Sequence, residues 1–164
     1  MNIIEHIKNS VEAVGCAFLY NAEGEMNDIV ARCPELQNGG VACICYLLKN
    51  GTAVQVGGAW RERLNVGLFF SMVAEYDFGG EENEERIDIC KRYALRWLQS
   101  LVGSNAIRLV SVNSTERVYN TTTDILTAYA VNVTIESIEG ISLCQTSKRK
   151  CGKGFGKQRL NTNN

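Results

Sequence analysis

The stretch Arg61-Glu62-Arg63-Leu64-Asn65-Val66-Gly67-Leu68-Phe69-Phe70-Ser71-Met72 decides the fold. Leu64, Val66, Leu68, Phe70 and Met72 fall on alternate positions, the two-residue period of a strand that lays one face on a core. Upstream, Val41 to Leu48 is a second β-rich run, and Asn50-Gly51 after it is the dipeptide that favours a tight hairpin turn. Thr52 to Val56 is then expected to return as its partner, with Gly57-Gly58 leading into the decisive strand, so that three strands form a meander.

Downstream, Ile87, Cys90, Tyr93, Ala94, Trp97, Leu98 and Leu101 recur at three- and four-residue intervals behind the acidic run Glu81-Glu82-Asn83-Glu84-Glu85. That spacing predicts a long amphipathic helix over 81–101, about 30 Å in length, with its acids at the positive end of the helix dipole. Ile107 to Tyr119 and Leu126 to Ile138 read as two further strands around the polar turn 120–124, with Tyr129, Val131, Val133 and Ile135 on one face. At the start, Ile3, Ile4, Ile7, Val11 and Val14 predict a helix over 2–14 that Gly15 ends. Residues 21–40 carry Gly24, Pro34, Gly39 and Gly40 without a sustained period and read as a long connection, with one helical turn near Met26 to Arg32. Strands grouped together and helices set to cover one face define an α+β fold. The expected architecture is an antiparallel or mixed β-sheet of about five strands, packed by the N-terminal helix and the long amphipathic helix.

The 164 residues suffice for one core without disulfide or metal, and they give one domain over 1–144 followed by a flexible basic tail over 145–164. The formal charge of −1 hides an uneven distribution, because Lys148, Arg149, Lys150, Lys153, Lys157 and Arg159 place +6 in the tail and leave −7 on residues 1–147. A tail of Gly, Lys, Gln and Asn buries little apolar surface, and its six basic residues are the candidate partner-binding set, suited to an acidic neighbouring subunit or to nucleic acid phosphate. The opening residues lack a basic segment followed by an apolar run, and no stretch reaches the length of a membrane span, so the expected setting is intracellular with no membrane partner. Seven cysteines without a C-x-x-C pair fit reduced thiols, and Cys43 and Cys45, two apart on a strand, read as small core residues.

No catalytic constellation emerges. His6 is the single histidine, and no nucleophile is paired with it in the sequence. One histidine and unpaired cysteines give no zinc ligand set, and the acids at 81–88 are accounted for by the helix dipole and solvation. Asp77-Phe78-Gly79 lacks every other kinase element, and Gly152 to Lys157 lacks the strand and helix that a phosphate-cradling loop requires. Arg61, Arg63 and Arg117 are expected along one edge of the sheet as solvated or paired charges. No enzyme activity, metal or cofactor is expected.

Two segments, Arg61 to Leu101 (RERLNVGLFFSMVAEYDFGGEENEERIDICKRYALRWLQSL) and Thr115 to Cys144 (TERVYNTTTDILTAYAVNVTIESIEGISLC), resemble small virion proteins encoded by phages and prophages of gut Bacteroidetes. The order of an N-terminal helix, a β-meander, a helix across the sheet and a closing hairpin is also similar to the tail-completion or tail-terminator family of tailed phages. The resemblance spans residues 1–144 and rests on topology and on the pattern near Ile125 to Ile138. It implies a virion structural protein that forms a ring, usually a hexamer, at the phage neck or tail end, with no active-site residues. The implied partners are further copies of itself and other neck or tail proteins, with DNA passing through the ring as a candidate. The implied location is the virion, and the host cytoplasm during assembly. A head-tail adaptor, or another intracellular module that binds protein or nucleic acid, is the alternative.

Overall fold

The computed structural model describes residues 3–21, 28–74, 81–119, 125–138 and 141–142. The six basic tail residues, the turn at 120–124 and the Asp77-Phe78-Gly79 triplet lie outside them. In chain order the elements are α1 (Ile3–Ala13), β1 (Ala17–Tyr20), α2 (Ile29–Arg32), α3 (Pro34–Gln37), β2 (Ala42–Val56), β3 (Ala59–Val73), α4 (Glu81–Ser100), β4 (Ile107–Val118), β5 (Leu126–Ser137) and β6 (Ile141–Ser142). The strands make one mixed sheet in the order β1-β2-β3-β5-β4, with β6 paired to the start of β3. Among the described residues β1 and β2 run parallel and the other pairings are antiparallel. This is the expected α+β architecture, with β1 and β6 added to the four long strands.

The alternation read in the sequence sets the two faces of the sheet. Leu64, Val66, Leu68 and Phe70 lie opposite Ile135, Val133, Val131 and Tyr129 across β3 and β5, and all eight side chains take part in the main core. On that face lie α1, through buried Ile7 and Val11, and α4, through Ile87, Cys90, Ala94 and Trp97. The Trp97 ring packs on Phe70 with centroids 6.2 Å apart, and its indole N–H donates to Ser10 Oγ at 2.9 Å, which ties the two helices together. Cys43 and Cys45 are fully buried in the same core, as their spacing on the strand implied.

The hairpin turn differs from the sequence reading. Asn50-Gly51 lies inside β2, where the register slips between Leu48 and Gly51, so residues 42–56 form one bulged strand and not a pair. The bulge is held by the Asn65 side-chain amide, which donates to the Asn50 carbonyl at 2.9 Å. Gly51 fits closely there, since a Cβ would come within 2.9 Å of Leu64 Cδ2 and 3.1 Å of the Arg63 carbonyl oxygen and would have to displace them. The chain reverses at Gly57 and Gly58, with φ of +58° and +79°. Two successive left-handed residues between Val56 and Ala59 make the primed turn whose twist matches that of the strands. The local signal at Asn50-Gly51 lost to continued cross-strand pairing, and the true turn is the glycine pair six residues on.

The segment 21–40 also carries more order than its composition suggested. Pro34 opens α3 at a first-turn position, where its missing N–H costs nothing, and Ile29, Cys33 and Leu36 bury themselves against Ala42, Ile44 and Leu126. These two short helices cover one end of the sheet's second face.

Candidate functional site

Among the described residues no helix covers the remainder of that second face. Its side chains come from the positions of β3 and β5 that alternate with the core set: Arg61, Arg63 and Asn65 on β3, and Asn132, Thr134 and Glu136 on β5. Asn65 Oδ1 accepts from Thr134 Oγ1 at 2.7 Å, and Asn113 Nδ2 donates back to Thr134 Oγ1 at 3.0 Å. Ser111 Oγ donates to Asn113 Oδ1 at 2.7 Å, while Asn132 Nδ2 donates to Ser114 Oγ at 2.8 Å. Asn113 reaches this row because β4 is irregular between Val112 and Ser114. The result is a polar ladder running across β3, β5 and β4.

At one end of the ladder sits Glu136, whose side chain is fully buried. It lies directly opposite Arg63 in the β3–β5 register and opposite Arg108 on β4. Arg63 Nε donates to Glu136 Oε2 at 2.8 Å and Arg61 Nη1 donates to Oε1 at 3.2 Å. The hydrogen bond from Arg63 is the main cause of a carboxyl group held below the usual range, with Arg61 and the charge of Arg108 acting in the same sense against the cost of burial. Two guanidiniums therefore bind one carboxylate and a third, Arg108, stands across the strand from it, a local excess of two positive charges. The Arg61 and Arg63 side chains remain 22% and 33% exposed and Arg108 is exposed, while the Arg61 Nε–H is buried with no partner among the described residues. Three cations around one carboxylate suit the array to binding an anion.

Arg117, grouped with Arg61 and Arg63 in the sequence reading, lies apart from them on the other face of the sheet. It pairs with Glu84 and Asp88 of α4, and Tyr119 O–H donates to Glu84 Oε1 at 2.6 Å. This exposed clamp fixes the first turns of α4 to the edge strand β4. Glu81, Glu82 and Glu85, exposed on the same helical turns, have no ion pair among the described residues.

Other chemistry-bearing groups do not converge. His6 sits partly buried on α1 with its Nε2 unpartnered among the described residues. Burial pushes Cys16, Cys45 and Cys90 up to about 12 and Cys43 well above its ordinary value, which makes them poor nucleophiles. Among the described residues no three His, Cys, Asp or Glu side chains are placed to hold a metal ion, and no helix is long and apolar enough to cross a membrane. The sequence reading marked Arg61 and Arg63 but missed Glu136. A lone charged residue among the twelve of β5 was the available signal, and its pairing needed the register across more than seventy residues.

No protein-family model and no curated protein matches this chain.

Proposed function

We propose that the chain is a structural protein of a tailed-phage virion that assembles as a ring at the neck or tail end, in the manner of a tail terminator or tail-completion protein joining tail to head. One observation carries the reading: apart from β1, α2, α3 and β6, the chain runs through an N-terminal helix, a hairpin of two long strands where the resemblance implies a meander, a long helix across the sheet and a closing pair of strands, which otherwise is the implied order. The charged groups of the open face support it in a second way, because they are arranged to bind and not to break bonds. The chain acts without a catalytic centre, and its partners are copies of itself and neighbouring neck or tail proteins.

Light scattering coupled to size exclusion, followed by negative-stain imaging of the purified full chain, tests this reading. Closed rings of about six copies are expected. A strict monomer at high concentration, in isolation and with other virion parts present, overturns it.

A further inference from the structure

The arginine cluster on the open sheet face and the acidic first turns of α4 occupy opposite corners of the molecule. Glu136 lies opposite Arg63, whereas Arg117, which holds the start of α4, lies opposite Tyr129; the two positions are seven residues apart on β5, roughly 23 Å. They also lie on opposite faces, since Tyr129 packs on the helix-covered core and Glu136 points away from it. We propose that the Arg61–Glu136–Arg63 cluster, together with Arg108, is a docking site for a second copy of this chain, whose Glu81, Glu82 and Glu85 supply the carboxylates. The inference rests on the ring reading and names the contact that builds the ring.

Three features support this occupant. Glu136 is buried between two guanidiniums and fixes their planes, so the forks are oriented before any partner arrives. The excess of positive charge stands on a chain whose residues 1–147 are otherwise acidic, and the densest acidic run in that chain is the start of α4. Those glutamates have no intramolecular ion pair among the described residues, although Glu84 beside them does. A twofold dimer would need both patches within one self-complementary surface, and patches on opposite faces of a sheet cannot share one. The contact is therefore heterologous, each copy presenting its arginines to one neighbour and its glutamates to the other, which is the arrangement that closes into a ring when the rotation allows.

Two variants of the full chain test it. The first, Arg61→Gln/Arg63→Gln/Glu136→Gln/Arg108→Glu, removes the basic site without stranding a buried charge; the second is Glu81→Gln/Glu82→Gln/Glu85→Gln. Each alone is expected to self-associate at least about tenfold more weakly than wild type at low salt, with the wild-type advantage shrinking as salt rises. Mixed together, they retain one intact basic site and one intact acidic patch per pair. Native mass spectrometry should then find a one-to-one heterodimer that grows no further. If the quadruple variant loses the near-ultraviolet signal of Trp97, the exposed Arg108→Glu alone carries the same expectation in smaller measure.

Wild type that assembles while both variants assemble equally well overturns this contact and leaves the ring reading standing. Wild type that stays monomeric under every condition overturns both. A mixture that remains monomeric, or that regains full-size assemblies, overturns the head-to-tail arrangement. A 30-base-pair DNA duplex retained by wild type and lost by the first variant, with assembly unchanged, makes the cluster a phosphate site and overturns the second copy as its occupant.

Discussion

At the scale of single residues, Glu136 holds the most electrostatic consequence. Its carboxyl group titrates lower in the folded chain than in the unfolded one, chiefly because it accepts from Arg63. The stability it contributes is therefore fully present above the unfolded carboxylate range and is lost as pH falls through the lower folded value. Glu136→Gln should cost about 2 kcal/mol at pH 7, the scale of a hydrogen bond to a charged group. That cost should shrink as pH falls through the lower folded value, so urea midpoints of the two proteins measured against pH should converge on the acid side. A constant gap at all pH values would show that packing, and not charge, is what the substitution removed. The buried thiols make a second residue-scale expectation. In a chain carrying Cys144→Ser and Cys151→Ser, the five cysteines Cys16, Cys33, Cys43, Cys45 and Cys90 are all buried and should react with a disulfide reagent at pH 8 only upon unfolding. Prompt native labelling of any of them would contradict the core described above. Of these residue-scale features, the sequence disclosed the core role of Cys43 and Cys45 through their spacing. It did not disclose the partner of Arg63, because nothing local to Glu136 specifies which strand will lie beside it.

Among the elements, α4 and β3 were plainly legible, α2 was met by the helical turn expected near Met26 to Arg32, and the other short pieces were not legible. A helix of 20 residues repeats its apolar interval five times over, and a strand of 15 residues alternates long enough that no other conformation buries the same set. Ala17–Tyr20 has only four residues and no period to read, and its place is set by β2, to which it pairs in parallel. For α3 a signal existed in Ile29, Cys33 and Leu36 at intervals of four and three, but Pro34 between them resembled a breaker when it was in fact a helix start. The energetic weight of the legible elements meets at Trp97, fully buried against Phe70 and hydrogen-bonded to Ser10. Trp97→Ala should cost roughly 3–5 kcal/mol, read as a shift in denaturant midpoint with an unchanged slope. Trp97→Phe keeps most of the packing and loses the bond to Ser10, so it should cost less. An equal loss in both variants would mean that the hydrogen bond, and not the ring volume, dominates.

For the whole molecule, the layered arrangement followed from the pattern of elements, whereas the open sheet face did not. Nothing in the sequence joins Asn65, Thr134 and Asn113, which only the register brings into one row. The position of β3 at the centre has a further consequence, for the time the chain takes to fold. Its pairing with β2 closes a loop of two glycines, while its pairing with β5 joins Val73 to Leu126 and Arg63 to Glu136, spans of more than fifty residues. Loop closure over the longer span costs more entropy before any contact repays it, so the β2–β3 hairpin should form first and β5 should dock late. Gly58→Ala places a side chain at a φ of +79°, and it should slow refolding with little effect on unfolding. Val133→Ala, on the late strand, should instead speed unfolding and leave the refolding rate nearly unchanged. Stopped-flow measurements on the two variants, plotted against denaturant, separate the limbs. If the pattern holds, the open face with its arginines is the last surface the chain completes, and no copy can recruit a neighbour through it before its own sheet has closed.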